Sequence, residues 1–200
     1  CKAQEKIGSC SQEKVSLIER KKAVGFQPPF VLGDYMLLKP DIKLKKVTDI
    51  TPELLESYGI KALLLDVDNT LSTHHGMVLT DGLEAWLDIM KKSGIKLSLL
   101  SNSKEKRVKP FAEKIGLDYI SLALKPLCFG FFRGVKFLNV KKKETAIVGD
   151  QIFTDVLGGN LSGVKTILLT PIKLESSARF RFKRKLEKIV YKVYKIKDLY

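Results

Sequence analysis

The sequence contains little of what builds disulfide frameworks, zinc sites or membrane spans. It has 3 cysteines and 2 histidines in 200 residues, and Cys1, Cys10 and Cys128 form no Cys-x-x-Cys pair. An odd number of widely separated cysteines argues against a disulfide framework and fits a reducing compartment. No apolar run approaches the roughly 18 residues of a membrane span, and no secretory signal pattern is present. We therefore expect an intracellular protein, soluble or peripheral on the cytoplasmic or organellar matrix face of a membrane.

The positive charge of the chain is concentrated at its two ends. Of the formal net charge of +14, residues 173–200 carry +7 (ten basic, three acidic) and residues 1–46 carry +5 (ten basic, five acidic), which leaves +2 for the middle. An apolar content of 44% is typical of a globular protein. We expect a mobile basic N-terminal extension at 1–27, one α/β domain at 28–172 and a basic amphipathic helix at 173–200.

The most informative segment is an apolar run that starts near Ile60 and ends in Asp66-Val67-Asp68-Asn69-Thr70. A run of this length and composition predicts a buried parallel strand, which delivers the residues after it to the carboxyl edge of a sheet. Asp66 and Asp68 are two residues apart, so in extended geometry their side chains point to the same side. Two crowded acids favour a bound cation, and Mg²⁺ suits carboxylates combined with a phosphate. The simpler alternative is that these residues only form a turn.

Three further apolar segments are each followed by polar residues. The predicted strands are 95–100, followed by Ser101-Asn102-Ser103; 120–124, followed by Lys125; and 145–148, followed by Asp150, with Thr154 and Asp155 opening the next helix. Helices are predicted at 52–58, from 80 or 81 to 93, after Ser101 to about 115, at 129–138 and at 154–161. A last strand is predicted at 165–169. Alternating strands and helices predict a mostly parallel sheet with helices on both faces.

The four polar sets, in this order, resemble the haloacid dehalogenase-like (HAD) superfamily of phosphotransferases. The matching residues are Asp66-x-Asp68-x-Thr70, Ser101, Lys125 and Gly149-Asp150-Gln151-x-x-Thr154-Asp155, and the resemblance covers about residues 38–185. At closer range the chain is similar to the capless subfamily IIIA, in particular to the YqeG-type group and the phosphatidylglycerophosphate phosphatases. The resemblance implies a Rossmann-like α/β fold, a three-layer sandwich without a cap domain.

The resemblance also implies a role for each motif residue. Asp66 would be the nucleophile that forms an aspartyl-phosphate, and Asp68 the general acid and base. Ser101 would hold phosphate oxygens and Lys125 would offset negative charge. Mg²⁺ would lie between the Asp66 carboxylate, the Asp68 backbone carbonyl and Asp150. Supporting roles would fall to Thr70, Asn102 and Asp155.

Several of these residues also have simpler interpretations. Thr70 can cap a turn, Ser103 is a rival for the place of Ser101, and Asp155 can stabilise a helix N-terminus. His74 and His75 lack a spaced third ligand, so we favour loop histidines over a zinc site. Cys128 is interpreted as a packing residue.

These features favour Mg²⁺-dependent hydrolysis of a phosphomonoester through an aspartyl-phosphate. The connections at 71–79 and after Ser101 are too short for a cap domain, and an open site suits a phosphate on a bulky or membrane-bound carrier. We expect conversion of phosphatidylglycerophosphate to phosphatidylglycerol, so that the partner is a lipid head-group phosphate. The alternatives are a phosphatase of a small soluble metabolite or nucleotide, and an RNA- or ribosome-associated protein on the same scaffold.

The C-terminal segment leaves two interpretations open. In helical spacing its apolar stripe contains Phe182, Leu186, Ile189, Val190 and Val193, with basic residues around it. Such a helix either binds an anionic membrane surface or packs its stripe on the domain. Nucleic acid is a less favoured partner, because no accompanying motif supports it.

Overall fold

The computed structural model describes residues 31–32, 35–73, 79–173 and 178–197, with side chains at 37–73, 79–173 and 181–197. The chain forms two compact units, 1–35 and 36–200. Strands β1 (Val31–Leu32) and β2 (Tyr35–Met36) form a two-stranded sheet. The predicted N-terminal extension and the pair His74 and His75 lie outside the described residues.

A six-stranded, entirely parallel sheet forms the centre of the second unit. Its strands are β3 (Ile42–Leu44), β4 (Ala62–Leu65), β5 (Lys96–Leu100), β6 (Asp118–Ile120), β7 (Thr145–Gly149) and β8 (Lys165–Leu169). Their order across the sheet is β3-β8-β7-β4-β5-β6. From β4 the chain therefore adds β5 and β6 on one side and then returns to place β7 on the other side of β4. This reversal creates the crevice in which open α/β folds bind ligands.

Helices cover both faces of the sheet. They are α1 (Pro52–Ser57), α2 (Leu83–Lys92), α3 (Glu105–Ile115), α4 (Cys128–Leu138), α5 (Leu157–Ser162) and α6 (Ala178–Tyr194). Along β4, Leu63 and Leu65 pack in one core with α2 and α3, whereas Ala62 and Leu64 pack in a second core with α4. Alternate residues of a strand face opposite sides, so the fully apolar strand separates two hydrophobic layers. The predicted three-layer Rossmann-like fold is confirmed.

Local signals explain where several helices begin and end. Thr51 accepts a hydrogen bond from the Leu54 amide at 3.2 Å as the N-cap of α1, and Pro52 occupies the first position of that helix. Gly116 ends α3 in the left-handed conformation, at φ +61°. The Trp86 indole donates to the Ile50 carbonyl at 2.8 Å and ties α2 to the segment before β4.

Two predicted elements differ from the structure. The strand predicted at 120–124 is wrong in its bounds, because β6 ends at Ile120. Leu122 and Leu124 have positive φ angles of 47° and 56°, and Ala123 donates instead to the carbonyl of Ser101 at 2.9 Å. As an edge strand, β6 has only β5 as a partner, so its extended conformation stops where that pairing stops. The helix predicted at 154–161 begins earlier, with a π-helical turn at Ile152–Val156 before α5.

The C-terminal helix packs on the domain, but through only one residue of the predicted stripe, Val190. Val190 and Tyr194 are buried in a small core with Leu38, Ile152, Val156 and Leu168. Phe182, Leu186, Ile189 and Val193 are exposed by 64%, 37%, 58% and 38%. Within the described part of the chain, no helix is long and apolar enough to cross a membrane.

Candidate active site

The candidate site lies at the carboxyl edge of the sheet, where the strand order reverses. Asp66 directly follows β4 and Asp150 follows β7, and these two strands are paired neighbours. Ser101 follows β5 on the other side of β4. Lys125 arrives from the loop after β6, which folds back over the edge. The groups open into a cavity of about 590 Å³ that Asp66, Asp68, Ser101 and Lys125 help to line.

Three buried carboxylates cluster at this site, and one of them, Asp66, lines the cavity. Oxygen atoms of Asp66, Asp150 and Asp155 lie within 4.8 Å of one another. The Lys125 ammonium donates to Asp66 Oδ1 and to Asp155 Oδ1, both at 2.6 Å. Lys125 is shared by Asp66 and Asp155, and Arg184 is shared by Asp150 and Glu187, so an excess of negative charge stays buried, which a divalent cation would relieve.

The acids also offer a free ligand atom. Asp150 Oδ1 is buried and has no hydrogen-bond partner among the described residues, while Oδ2 of the same carboxylate contacts Arg184. Hard oxygen donors of this kind are the ligands that Mg²⁺ prefers. The residues present therefore fit a hard divalent cation, with Asp155 joining Asp66 and Asp150.

Burial changes the protonation of these acids. Removal from water raises the pKa of Asp66 to about 8, and the neighbouring Lys125 opposes that rise only in part. Burial raises the pKa of Asp150 to about 7 against the opposing charge of Arg184. At Lys125 burial alone would lower the pKa, but Asp155 and Asp66 more than compensate and the pKa lies above its usual value. One ammonium group cannot fully stabilise two carboxylates, so burial dominates at Asp66.

Gly149 makes room for the third acid. A Cβ atom at Gly149 would lie 2.3 Å from Asp155 Cγ, which is far below any normal contact. The Asp155 carboxylate therefore crosses directly over the backbone at the end of β7 and also accepts a hydrogen bond from the Gln151 amide at 3.2 Å. The glycine before Asp150 is thus a requirement of the acid cluster.

Asn102 holds the backbone of Lys125. Its side-chain amide donates to the Lys125 carbonyl at 3.0 Å, and its side-chain oxygen accepts from the Lys125 amide at 2.7 Å. The paired hydrogen bonds fix the end of the β6 loop against the loop after β5. The lysine side chain, only 3% exposed, is thereby directed toward the acids.

Asp68 lies apart from the three-acid cluster. Its side chain contacts the guanidinium of Arg107 and accepts from the Ser103 hydroxyl at 3.4 Å. The Ser101 hydroxyl is buried and accepts from the Ser103 amide at 3.1 Å. Ser101 and Ser103 both line the cavity, so the structure brings the two rival hydroxyls to the same place.

Thr70 and Cys128 do not line the cavity that contains Asp66 and Lys125. Thr70 is buried, and its hydroxyl has no hydrogen-bond partner among the described residues. It lines a second cavity of about 550 Å³, together with Lys45, Lys46 and Asp81. That cavity contains none of the three clustered acids and no contact to Lys125, so it does not share their chemistry. Cys128 is a half-buried free cysteine at the start of α4.

The sequence interpretation missed four residues at the site. Arg107 on α3 pairs with Asp68, and Arg184 on α6 pairs with Asp150 and donates to its carbonyl at 2.8 Å. Lys183 and Phe182 of α6 line the cavity. The sequence signal for the three residues on α6 was the basic run of the C-terminal helix. That run by itself does not indicate which of its residues faces the acids.

The chain is similar to known phosphatases over most of its length. A family model described as mitochondrial PGP phosphatase matches residues 29–173. The probable phosphatase YqeG of Bacillus subtilis is 39% identical over 158 residues, which span 79% of this chain and 92% of that protein. The mitochondrial phosphatidylglycerophosphatase GEP4 of Saccharomyces cerevisiae is 29% identical over 166 residues, which span 75% of this chain and 88% of that protein.

A solved structure supports the same fold. The 4-nitrophenylphosphatase of Thermotoga maritima superimposes with a TM-score of 0.50 at 12% identity, over 65% of this chain and 90% of that chain. At this identity the likeness concerns the fold alone.

Proposed function

This chain belongs to the mitochondrial PGP phosphatase family and is a phosphatase of the HAD type, and on that premise we propose that it hydrolyses a phosphomonoester through an aspartyl-phosphate on Asp66. The observation that carries the proposal is the contact of Asp66 with Lys125 in the wall of an open cavity, next to two further buried acids. Such an arrangement can position a nucleophile and neutralise a phosphate at once.

In the first half of the reaction, an oxygen of the ionised Asp66 carboxylate attacks phosphorus and the bond from phosphorus to the ester oxygen breaks. The leaving oxygen takes a proton from Asp68 and departs as an alcohol. Lys125 lies 2.6 Å from Asp66 Oδ1, so its charge stabilises the ionised nucleophile and then the negative charge on the phosphoryl oxygens. Ser101 and the backbone amides beside it bind those oxygens.

In the second half, water attacks the phosphorus of the aspartyl-phosphate. Asp68 accepts a proton from that water, the bond from phosphorus to Asp66 breaks, and inorganic phosphate leaves with Asp66 regenerated. Arg107 contacts Asp68 in the free protein. A phosphate in the cavity offers Arg107 a competing anion, which frees the Asp68 side chain to reach the reacting oxygen.

The acid cluster is the proposed magnesium site. Asp66, Asp150 and the backbone carbonyl of Asp68 would hold Mg²⁺, with Asp155 supporting them. When bound, the ion supplies positive charge that stabilises the phosphate oxygens as the phosphoryl group is transferred. Asp150 Oδ1, which no described residue occupies, is the atom best placed to bind it.

The proposed substrate is the head-group phosphate of a phospholipid, phosphatidylglycerophosphate, which would yield phosphatidylglycerol. The cavity is apolar at its mouth, where Phe153, Phe182 and Leu186 accompany the polar floor. Leu124 and Leu127, on either side of Lys125 in the sequence, are exposed by 57% and 53%. Exposed apolar side chains around a catalytic cavity favour a carrier that is itself apolar.

We further propose that the exposed face of α6 contacts an anionic bilayer. This face contains Ile189 and Val193, and the exposed Lys185, Lys188 and Lys192 flank it. Each basic residue near an anionic surface contributes about 1 kcal/mol, and apolar side chains between them insert at the interface. The face is continuous with Phe182 and Leu186, so a bound membrane would lie at the mouth of the cavity.

The experiment that tests the proposed function compares substrates and variants. Purified protein with Mg²⁺ is assayed on phosphatidylglycerophosphate micelles, sugar phosphates, nucleoside monophosphates and 4-nitrophenyl phosphate. Asp66→Asn should abolish turnover of every substrate, because an amide cannot attack phosphorus. Asp68→Asn should slow turnover by at least about 100-fold, the usual contribution of general acid–base catalysis.

Asp88→Asn is the matched control, because Asp88 is an exposed acid on α2. Circular dichroism must show that each variant is folded. Retained turnover in folded Asp66→Asn would exclude the aspartyl-phosphate. Faster turnover of a soluble metabolite than of the lipid would favour the alternative, a phosphatase of small molecules.

A further inference from the structure

Helix α6 supplies part of the wall of the catalytic cavity. Phe182, Lys183 and Leu186 line it from this helix, together with Asp66 and Lys125 from the sheet edge. The helix is held there by contacts outside the cavity. Arg184 pairs with Asp150, and Glu187 accepts from the Ile152 amide at 3.0 Å. The wall is therefore fixed to the same loop that carries the acid cluster.

Lys183 differs from the other cations of the cavity in its partner. Lys125 lies between two carboxylates, and Arg107 pairs with Asp68. The Lys183 ammonium instead donates to the side-chain oxygen of Gln151, which is neutral. Among the described lining residues, Lys183 is thus the cation whose direct partner carries no charge. An incoming anion can therefore replace Gln151 as the hydrogen-bond partner of Lys183 at little electrostatic cost.

The neighbours of Lys183 are apolar. Phe182 precedes it and is exposed by 64%, and Leu186 follows one turn later on the same wall. Residues four apart on a helix lie side by side, so the two apolar groups form one surface next to the ammonium. A ligand that fits this wall has an anionic group adjacent to an apolar body.

We propose that Lys183, with Phe182 and Leu186, forms a subsite for a second anionic group of the substrate, separate from the phosphate that is transferred. The subsite rests on the proposed function and extends it. It selects phosphomonoesters that carry a second phosphate and an apolar portion over those that carry one phosphate alone. Lys183 is a specificity-determining residue in this assignment, because the ammonium binds a part of the substrate that does not react.

The test uses three water-soluble substrates. They are dihexanoyl phosphatidylglycerophosphate, the same molecule without its acyl chains, and 4-nitrophenyl phosphate, which has a single phosphate. Lys183→Gln should lower kcat/KM for both two-phosphate substrates by about 10-fold relative to 4-nitrophenyl phosphate, because the charged hydrogen bond to the second phosphate is lost. Phe182→Ala should lower kcat/KM for the acylated substrate alone. Lys109→Gln is the control for loss of one charge, since Lys109 is exposed on α3 and does not line the cavity.

An equal loss on all three substrates would mean that Lys183 supports the catalytic machinery, and no loss would mean that it binds no substrate; either result overturns the subsite. Calorimetry separates this question from turnover. If the unmodified protein hydrolysed none of the substrates, the proposed function would fail, but the intact two-phosphate lipid could still be titrated. The subsite then requires about 10-fold weaker binding to Lys183→Gln than to Lys109→Gln.

Discussion

At the scale of single residues, the site is organised around a shortage of positive charge. One ammonium, that of Lys125, contacts Asp66 and Asp155, while Asp150 relies on Arg184. Both Asp66 and Asp150 are buried, and burial makes their ionised forms costly. Binding of a divalent cation would remove this cost, and protonation of the acids is the alternative way to lower it. The cation and protons therefore compete for the carboxylates.

This competition predicts a pH dependence of metal binding. Mg²⁺ binds ionised carboxylates, and burial raises the pKa of Asp66 to about 8 and that of Asp150 to about 7. Below these values the acids hold protons that the ion must displace. Raising the pH from about 6 to about 9 should therefore tighten Mg²⁺ binding, and binding near neutral pH should release protons.

Isothermal titration calorimetry checks this prediction. Two buffers with different ionisation enthalpies at the same pH should give different apparent heats if protons are released. Asp150→Asn should weaken binding, whereas Asp88→Asn should not, because Asp88 is exposed on α2. A dissociation constant that does not change over this pH range would contradict the protonation scheme.

At the scale of elements, α6 and the loop after β7 are joined by a buried polar contact. Glu187 is only 2% exposed, accepts from the Ile152 amide at 3.0 Å and pairs with Arg184 at 2.6 Å. Removing one member of such a contact leaves its partners unsatisfied, which costs more than the contact contributes. The helix is therefore held by this carboxylate as well as by the burial of Val190 and Tyr194.

Glu187→Gln should loosen α6, because the amide cannot neutralise Arg184. We expect a loss of about 1–3 kcal/mol in the free energy of unfolding, measured by urea denaturation. Limited trypsin digestion should cut α6 faster, since the helix is rich in lysine and arginine and cleavage requires local opening. Glu113→Gln on α3 is the control, because Glu113 is exposed. If neither the unfolding midpoint nor the cleavage rate moved, docking of α6 would not depend on Glu187.

At the scale of the whole molecule, charge and exposed apolar surface lie together. The segment 173–200 contributes +7 of the net charge of +14. Phe182 and Leu186, which continue the exposed face of α6, line the catalytic cavity, and the exposed Leu124 and Leu127 flank Lys125 in the sequence. This distribution favours an approach of the cavity toward a negatively charged, apolar surface.

The double substitution Ile189→Asp and Val193→Asp should weaken binding to vesicles made of equal parts phosphatidylcholine and phosphatidylglycerol. Both side chains are exposed and neither lines the cavity, so the substitutions test the surface rather than the catalysis. Salt should weaken binding by the native chain as well, because about 1 M salt shortens the reach of charges to about 3 Å. Vesicle co-sedimentation measures both effects.

Ile89→Asp is the matched control, since Ile89 is an exposed isoleucine on α2, exposed by 50%. Activity on 4-nitrophenyl phosphate should survive the double substitution, because that substrate needs no membrane. Equal vesicle binding by the native chain and the double variant would contradict the contact through α6.

The sequence by itself determined the order of the sheet-edge groups. Apolar runs that end in Asp66, Ser101 and Asp150 predict buried strands, and parallel strands present their carboxyl ends at one edge. Convergence of these residues thus follows from local patterns and the rule for parallel connections. The bounds of β6 could not be predicted in the same way, because an edge strand is extended only as far as its single neighbour pairs with it.

Only the tertiary structure decided how the polar side chains are paired. Arg107 meets Asp68 across 39 positions and Arg184 meets Asp150 across 34, and no local periodicity relates such residues. The same reason explains α6. Hydrophobic spacing predicted an apolar stripe that either packs on the domain or faces a membrane, and the buried Glu187 and its partners hold the helix so that most of that stripe is exposed. Hydrophobic periodicity indicates which face of a helix can be buried. A buried ion pair decides which face is buried, and this cannot be read from the sequence because its members come together only when the chain has folded.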